Sequence, residues 1–319
     1  MNELLNNFPT EVRADIASIS EQGGVLKAEQ CQRICQQLSI KIESLMIMLL
    51  PIAASFSRAP ISLFNVGAIA QGADCFSDGF YNLYLGANYE FENQALCHSV
   101  HAEQAAIANA WRHDEATVKS IATSAAPCGH CRQFLYEVAG TRSFAILMPK
   151  INAEEIDQII EENSIFDRIE LTQLLPDAFG PTDLGCDRLL MEQGFVSNHL
   201  ELNQTSDDPL VHMALQAANL SYAPYTANFS GCVIEMNSGQ RFVGRYAENA
   251  AHNPSLLAFS SALCHANLSE NGIVEKNMKR VVMVEHVTKS CQRNVTDILV
   301  SACDNKLEFE YYSAIVIKK

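Results

Sequence analysis

Three residues in the first half of the chain have side chains that are typical zinc ligands. His101 supplies an imidazole nitrogen, and Cys128 and Cys131, three positions apart at a predicted helix start, supply two sulfurs. Zinc prefers nitrogen and sulfur ligands, and the unpaired N–H groups of a helix start stabilise negatively charged thiolates. Three protein ligands leave the fourth tetrahedral position to water, as in catalytic zinc sites. The pattern therefore predicts a catalytic zinc ion.

A carboxylate lies two residues beyond the histidine, in the segment His101-Ala102-Glu103. A carboxylate beside a zinc-bound water can take its proton and pass it on. Two thiolates formally neutralise the zinc charge and weaken its effect on that water, so the chemistry needs a nearby base. We therefore predict that Glu103 is the catalytic proton shuttle.

Two other interpretations of these residues stay open at this point. His130 would be the fourth ligand of a closed structural zinc site, although it adjoins Cys131 and would have to bend back sharply to reach the ion. Alternatively, Cys128 and Cys131 would form a Cys-x-x-Cys redox pair, and His101 would be unrelated to it.

Length, composition and charge limit the classes of function. The chain has 319 residues, of which 48% are hydrophobic and 18% charged, and this predicts two globular domains. Its net charge of −15 repels phosphate backbones and argues against polynucleotide binding. No secretory signal is visible, and the most apolar stretch, 45–54, is too short to span a membrane and contains Pro51. We predict a cytoplasmic protein without a membrane partner.

The cysteines indicate reduced thiols. Eleven cysteines, an odd number, in a chain without an export signal argue against a disulfide framework. Cys31 and Cys35 are four apart on one predicted helix face, but no further ligand stands nearby, which favours ordinary packing.

Secondary-structure patterns change at Pro51. Residues 1–50 have apolar positions at helical spacing, most clearly over 25–50, and Pro51 predicts the end of that helical segment. Strand-like and helical runs then alternate, with strands at 64–70, 84–87, 119–125 and 143–149 and helices at 101–113 and 128–140. This alternation predicts an α/β domain, followed by an acidic connector rich in turns over 151–205.

The part of the chain after about residue 206 repeats the pattern of the part after 51. SRAP at 57–60 corresponds to SYAP at 221–224, and GANYEFEN at 86–93 corresponds to GRYAEN at 244–249. The two offsets differ by a few residues because 71–80 behaves as an insertion in the first copy. Both matches occur in the same order, which predicts an internal duplication.

The motifs resemble those of a known family. H-x-E followed by P-C-x-x-C, here at 101–103 and 127–131, is typical of zinc-dependent nucleobase deaminases. From about residue 45 onward, the chain closely resembles the long, two-repeat bacterial form of cytidine deaminase. The strings that carry this resemblance are FNVGAIA, GANYEFEN, VHAEQAAI, PCGHCRQF, LPDAFGP and SYAPY.

The resemblance implies a fold and a division into domains. The fold is a three-layer α/β/α arrangement with a mixed sheet, present twice, after an N-terminal helical segment. The implied boundaries are a helical segment at 1–47, a catalytic zinc domain at 48–183, a connector at 184–205 and a non-catalytic deaminase-like repeat at 206–319.

The resemblance also implies the reaction. In the family, a zinc-bound hydroxide attacks C4 of cytidine or deoxycytidine, and a glutamate protonates N3 and then the departing amine. The products are uridine or deoxyuridine and ammonia, as pyrimidine salvage requires. Matched residue by residue, one zinc ion per chain falls on His101, Cys128 and Cys131, and the proton shuttle falls on Glu103.

Substrate contacts and a homodimer follow from the same resemblance. Asn88 and Glu90 match the pair that holds the ribose 3′-hydroxyl, and such a site rejects analogues that lack this group. Phe64 matches an aromatic residue that packs on the base, and Phe179 one that reaches the site from the partner subunit. The main chain of Ala102 matches a contact to the edge of the base.

The second repeat lacks the zinc motifs. Residues 253–263, where the histidine and glutamate would fall, contain no His, Cys or Glu, and no Cys-x-x-Cys follows. Cys264 and His265 lie near this stretch but out of register. We predict that this copy binds no zinc and serves as a scaffold.

The first repeat departs from the family pattern at two positions. Ala125 and Ala126 stand where the family often has the bulkier Tyr and Thr, so no base contact is predicted from those positions. Arg132 is predicted to donate to a thiolate.

Three rival functions stay open. Deamination of a polynucleotide is opposed by the negative charge, and deamination of a nucleoside monophosphate by the lack of a Lys/Arg cluster near the motifs. Nucleoside binding without catalysis is opposed by Glu103, which stands beside a zinc ion with an open coordination position.

Overall fold

The computed structural model describes residues 2–73, 79–138, 143–150, 159–160, 166–192, 197–269, 274–304 and 306–317. The chain divides into two compact units: Met1–Tyr89 with His101–Ala178, and Glu90–Val100 with Phe179–Lys319. Each unit has one mixed sheet packed against helices, which is the α/β class that the sequence predicts. Half of the predicted insertion at 71–80, residues 74–78, lies outside the described residues.

Short elements open the first unit. They are α1 (Asn2–Leu5), a 3-10 turn (Thr10–Val12), α2 (Arg13–Ala17), β1 (Val25–Leu26), α3 (Ala28–Leu38), α4 (Ile42–Met48) and α5 (Leu50–Ala54).

The prediction of a helical segment over 25–50 that ends at Pro51 is wrong in three places. Val25 and Leu26 form a strand instead, because they pair with residues 83–84 of a distant strand. Ser39, with a φ of 54°, ends α3 in the left-handed conformation. Pro51 lies in the first turn of α5 and so does not end the helical segment; there its missing N–H costs no intrahelical hydrogen bond.

The remaining elements of the first unit are β2 (Gly67–Gly72), β3 (Leu83–Ala87), α6 (Ala102–Arg112), β4 (Val118–Thr123), α7 (Gly129–Tyr136), β5 (Ala145–Pro149), β6 (Phe166–Glu170) and α8 (Leu171–Leu174). Among the described residues the strand order is β1-β3-β2-β4-β5-β6, and all pairs are antiparallel except β4 with β5. The predicted strands and helices of this region correspond to β2–β5, α6 and α7. Strand β6 falls in the predicted connector, and its sequence FDRIE has no apolar run because it forms a partly exposed sheet edge.

The second unit contains two 3-10 turns (Leu96–His98 and Pro181–Leu184), β7 (Leu200–Leu202), α9 (Pro209–Asn219), β8 (Ser230–Met236), β9 (Arg241–Arg245), α10 (Ala258–Ser269), a third 3-10 turn (Val274–Asn277), β10 (Met278–Glu285), α11 (Arg293–Cys303) and β11 (Glu308–Val316). Its described strands have the order β7-β11-β10-β8-β9, with β10 and β11 parallel. The predicted connector at 184–205 is therefore not all loop, because β7 lies within it.

The two sheets have the same topology, which confirms the predicted duplication. The order β3-β2-β4-β5-β6 matches β9-β8-β10-β11-β7 strand for strand, and the directions of every pair agree. In the first sheet the edge strand follows the other strands in the chain, whereas in the second it precedes them. Both edge strands thus lie between β5 of the first sheet and β8 of the second along the chain.

Glycines at equivalent positions bring helices against the sheets. A Cβ on Gly67 would lie 2.5 Å from the Ala54 nitrogen of α5, and one on Gly231 would lie 2.4 Å from the Ala218 nitrogen of α9. These contacts leave no room for a side chain, so each repeat needs glycine at the start of its central antiparallel strand.

A second pair of glycines shows the same relation for the following helix. A Cβ on Gly86 would lie 2.3 Å from the Ala102 oxygen of α6, and one on Gly244 would lie 2.1 Å from the Ala258 oxygen of α10. Ala102 and Ala258 therefore occupy equivalent positions in the two repeats.

The ladder register places these helices on opposite faces of the first sheet. Gly67 lies opposite Ala87, so their Cα–Cβ directions share a face, and Gly86, one residue earlier, faces the other way. Helix α5 covers the face of Gly67 and α6 that of Gly86. The three-layer α/β/α arrangement is confirmed.

No single helix in the described part of the chain is long and apolar enough to cross a membrane. The segments Ala28–Leu38 and Ile42–Ala54, bent by 96°, meet the length and composition test only as a pair.

The contact between Gly86 and α6 is testable by adding one methyl group. In Gly86→Ala, the new Cβ would lie 2.2 Å from the Ala106 nitrogen. Because this is a main-chain atom, the clash can be relieved only if α6 moves away from β3. We expect the free energy of unfolding to fall by about 3 kcal/mol or more. Urea unfolding followed by the fluorescence of Trp111, the only tryptophan and a residue of α6, measures this loss.

Gly129→Ala is the matched control, because no heavy atom lies within 4 Å of the position of its Cβ. It should change the unfolding free energy by less than ~0.5 kcal/mol. Equal unfolding midpoints for Gly86→Ala and the unaltered protein would contradict the packing of α6.

Candidate active site

Two helix starts provide the donor atoms of the site. His101 is the residue that caps the N-terminus of α6, and its own N–H donates to the Gln104 side chain at 3.2 Å. Cys128 occupies the same capping position at α7, and Cys131 lies in the first turn of that helix. Helix starts present N–H groups without intrahelical acceptors and the positive end of the helix dipole. Both features favour negatively charged sulfur.

The three donor atoms have the spacing that a tetrahedral zinc ion requires. The Nδ1 atom of His101 lies 3.5 Å from the sulfur of Cys128 and 3.2 Å from that of Cys131, and the two sulfurs are 3.7 Å apart. Zinc–sulfur and zinc–nitrogen bonds of usual length, set at a tetrahedral angle, give separations of about 3.6 Å for N···S and about 3.8 Å for S···S. The residues fit zinc, and in the described part of the chain no other group of three His, Cys, Asp or Glu donors is as close.

The two thiols have opposite pKa shifts because they share a proton. Hydrogen bonds from Cys131 and from His101 lower the pKa of the Cys128 thiol to about 3. The hydrogen bond to Cys128, together with burial, raises the pKa of Cys131. Bonding to the Cys128 sulfur also raises the pKa of His101. A divalent cation held by these residues would take the place of the shared proton, since metal ligands bind in their deprotonated form.

Glu103 lies one residue inside α6 and is only 4% exposed. Burial raises the pKa of its carboxyl group, and hydrogen bonds from the main chain and from the Cys131 thiol oppose this shift more weakly. A raised pKa suits a group that must both accept and release a proton near neutral pH.

The structure also ties two of the predicted substrate residues to each other. Asn88 follows β3, and its Nδ2 atom donates to the main-chain oxygen of Phe64 at 2.9 Å. The Phe64 side chain is 61% exposed, so it is not a residue of the hydrophobic core. Ala102, between His101 and Glu103, is fully buried at the first position of α6, where its N–H has no intrahelical acceptor.

Glu90 and Phe179 belong to the second unit. Glu90 is buried, whereas the Phe179 ring is 46% exposed. Their contacts with substrate stay predictions.

The rival readings of the cysteine motif fit the geometry less well. The His130 ring stacks on the His101 ring, with centroids 4.7 Å apart and an interplanar angle of 21°. Its in-plane lone pairs therefore do not converge on the ion that His101 faces, which disfavours a closed four-ligand site. A redox pair unrelated to His101 is disfavoured because the His101 nitrogen lies within 3.5 Å of both sulfurs.

The prediction that Arg132 donates to a thiolate is replaced by another role. Its Nε donates to the Pro127 oxygen at 2.8 Å and its Nη1 to the Leu174 oxygen at 2.9 Å. The guanidinium thus fixes the main chain that leads into Cys128. Hydrogen bonds to main-chain carbonyl oxygens cannot be predicted from the spacing of residue types, because every residue has a carbonyl group.

In the second repeat, apolar residues stand at the equivalent positions. With Ala258 equivalent to Ala102, Leu257 takes the place of His101 and Phe259 that of Glu103. Cys264 and His265 lie further along α10, both buried. Among the described residues of this repeat no group of three metal donors comes together.

Comparison with protein families gives two matches. Residues 39–148 and residues 171–297 match two family models that share the description "cytidine and deoxycytidylate deaminase zinc-binding region". The second match covers most of the second repeat.

Curated relatives match nearly the whole chain. The cytidine deaminase of Aliivibrio fischeri is 38% identical over 316 residues, which cover 98% of this chain and 97% of the relative. That of Vibrio cholerae O395 is 41% identical over 263 residues, which cover 82% and 79%. A solved structure of cytidine deaminase from Mycobacterium tuberculosis is 25% identical, with a TM-score of 0.33, and covers 43% of this chain and 95% of that chain. The first of these matches includes residues 1–44, which the sequence motifs link only weakly.

The proposed metal ligands are testable by zinc content. Cys128→Ser replaces a ligand that ionises readily with a hydroxyl that does not, so we expect below roughly 0.1 zinc per chain after dialysis against a chelator. Elemental analysis by mass spectrometry measures this. Cys291→Ser, a change of an exposed thiol in the second repeat, is the matched control and should retain the zinc content of the unaltered protein. Full zinc content in Cys128→Ser would refute the assignment.

Proposed function

The chain belongs to the cytidine and deoxycytidylate deaminase family, and we propose on this premise that it hydrolyses the 4-amino group of cytidine and deoxycytidine in its first repeat. The products are uridine or deoxyuridine and ammonia, which is a reaction of pyrimidine salvage. The observation that carries the proposal is the tetrahedral spacing of His101, Cys128 and Cys131 beside a buried Glu103. This arrangement occurs in a chain that is 38% identical along its length to a cytidine deaminase.

Zinc is the cofactor, and three side chains of the first repeat would hold it. His101 provides nitrogen, and Cys128 and Cys131 provide sulfur. Zinc bound there would supply a Lewis acid that lowers the pKa of the water that attacks C4.

Glu103 moves the protons. Its carboxylate takes one proton from the attacking water and delivers it to N3 of the base. Protonation of N3 makes C4 more electrophilic. It then takes the remaining proton of the added hydroxyl and delivers it to the 4-amino nitrogen, so that ammonia leaves and the C4 carbonyl forms. Burial keeps bulk water from competing with these transfers, and the raised pKa of Glu103 makes both directions accessible.

The substrate contacts are proposed from the family resemblance and from placement. Phe64 offers an exposed aromatic face for the pyrimidine, and the unpaired N–H of Ala102 can bind the edge of the base. Asn88 and Glu90 are proposed to bind the ribose 3′-hydroxyl. Phe179, with its half-exposed ring, is proposed to reach the site of a second copy of the chain.

The proposed assembly is a homodimer. Phe179 can act on a partner's substrate only in such an assembly. Large exposed apolar side chains of the loop after α5 provide surface for association; they are Ile61, Leu63 and Phe64, of which Leu63 is 81% exposed.

The proposed domain roles differ between the repeats. Residues 48–183 carry catalysis, 206–319 form a silent repeat, 184–205 connect them and 1–47 form the N-terminal segment. We also propose that the protein works in the cytoplasm. The ten cysteines that the structure describes are free thiols, and a reducing compartment preserves them together with the zinc thiolates.

Replacing Glu103 separates catalysis from metal binding. Glu103→Gln keeps the shape of the side chain but cannot accept a proton, so we expect cytidine turnover to fall by about 10³-fold or more, with zinc content unchanged. Ammonia release and elemental analysis on the same sample measure both. The control is Glu43→Gln, which changes a partly exposed carboxylate distant in sequence from the motifs and should leave both values unchanged. Substantial deamination by Glu103→Gln would refute the mechanism.

A substrate panel distinguishes the proposal from its rivals. Cytidine and deoxycytidine should be deaminated at least about 100-fold more efficiently than cytidine monophosphate, because no basic cluster near the motifs compensates a phosphate. Single-stranded DNA and RNA should not react. Preference for the monophosphate or a polynucleotide would refute the nucleoside assignment, and cytidine binding without ammonia release would indicate a non-catalytic role.

A further inference from the structure

The side-chain amide of Asn88 holds the loop that carries Phe64. Its Oδ1 atom accepts from the Val66 N–H at 2.8 Å and from the Ser57 hydroxyl at 2.5 Å. Its Nδ2 atom donates to the Phe64 oxygen at 2.9 Å. Main-chain bonds of Asn88 to Arg58 and Val66 hold the same segment. The amide thus connects both ends of the loop 57–66 to the end of β3.

These bonds fix which way the amide faces. An N–H group can only donate and a carbonyl can only accept, so Val66 must face Oδ1 and Phe64 must face Nδ2. Oδ1 has two lone pairs, and Val66 and Ser57 use both. Nδ2 has two protons, and Phe64 uses one. Toward a ligand, Asn88 therefore has one donor left, and no acceptor.

Two residues of the loop are not anchored by burial. Leu63 has a φ of 58°, an unfavourable conformation for a residue with a branched side chain, and it is 81% exposed. Phe64 is 61% exposed. Their own N–H groups make local hydrogen bonds, from Leu63 to the Ala59 oxygen and from Phe64 to the Ser62 hydroxyl. The bond from Asn88 to the Phe64 oxygen is long-range and connects this part of the loop to β3.

The second repeat provides an internal comparison for Ser57. The offset between Gly67 and Gly231 makes Ser221 the equivalent of Ser57, and the offset between Gly86 and Gly244 places Tyr246 where Asn88 stands. With tyrosine at the equivalent position, the Ser221 hydroxyl donates to the nearby Ala218 oxygen at 2.7 Å and accepts from the Asn198 side chain at 3.4 Å. Donation by this serine to a distant side chain is thus associated with the asparagine at position 88 of the first repeat.

We propose that Ser57 is a positioning residue that sets the polarity of the ribose site. By occupying the second lone pair of Asn88 Oδ1, its hydroxyl prevents that oxygen from accepting from the substrate. Asn88 then only donates, to the oxygen of the 3′-hydroxyl. The inference rests on the proposed function, and it adds a residue outside the motifs.

The experiment compares Ser57→Ala on cytidine and on 3′-deoxycytidine. Without the hydroxyl, the amide loses one of its three anchors, and Oδ1 becomes free to face the sugar. We expect KM for cytidine to rise about five- to tenfold, the effect of one lost hydrogen bond, with kcat changed less than about threefold. On 3′-deoxycytidine, which lacks the oxygen that Asn88 binds, the variant and the unaltered protein should have the same KM.

Two further variants complete the test. Ser57→Thr keeps the hydroxyl and should restore KM for cytidine. Ser221→Ala, the matched control, removes the equivalent hydroxyl of the second repeat and should leave KM unchanged. Zinc content and the urea midpoint from Trp111 fluorescence show whether each variant is folded.

The outcomes distinguish this inference from the proposed function. An unchanged KM for cytidine in Ser57→Ala, or an equal rise in KM for both nucleosides, overturns the positioning role while the deaminase activity stands. Failure of the unaltered protein to release ammonia from cytidine overturns the proposed function itself.

Discussion

The structure depends on the meeting of two helix starts. His101 is the N-cap residue of α6, and Cys128 is the N-cap residue of α7. The three donor atoms converge only if the N-termini of these two helices lie next to each other. The start of α6 is set by its contact with β3, where Gly86 leaves no space between strand and helix. A side chain on that strand would displace His101 and Glu103 together. The positions of the proposed metal ligand His101 and of the proposed proton shuttle Glu103 therefore both depend on the contact between Gly86 and α6.

The second repeat keeps the scaffold of the first. Both glycine contacts and the strand order are the same, whereas Leu257 and Phe259 stand where the first repeat has its proposed metal ligand His101 and its proposed proton shuttle Glu103. Protein groups hold the start of its last helix. Gln292, the N-cap of α11, donates its N–H to the buried carboxylate of Glu285 at 2.6 Å, and the Ser230 hydroxyl donates to the Gln292 side chain at 2.9 Å.

Sequence patterns predicted the chemistry better than the edges of the fold. The three donor residues that the structure brings together, His101, Cys128 and Cys131, could be proposed from the sequence because metal binding requires particular side chains at particular spacings. Strand β1 could not, since two residues inside a helical pattern become a strand only by pairing with β3 far along the chain. Strand β6 lacked an apolar run because it forms an exposed edge. Local periodicity contains no information on such tertiary partners.

The same limit applies to the residues around the site. Ser57 lies 31 residues before Asn88, and a single serine in a loop has no pattern that predicts this partner. Arg132 was correctly placed near the metal ligands but was assigned the wrong acceptor, because main-chain oxygens are not visible in a sequence. Roles that depend on carbonyl and hydroxyl partners become evident only in three dimensions.

In the proposed function, the first repeat hydrolyses cytidine with one bound zinc ion as cofactor. Ammonia release from cytidine by purified protein, with zinc determined on the same sample, tests it most directly. The account predicts turnover with about one zinc per chain, all of it in the first repeat. One zinc per chain without release of ammonia would contradict the assigned reaction, and two zinc ions per chain would contradict the silent second repeat.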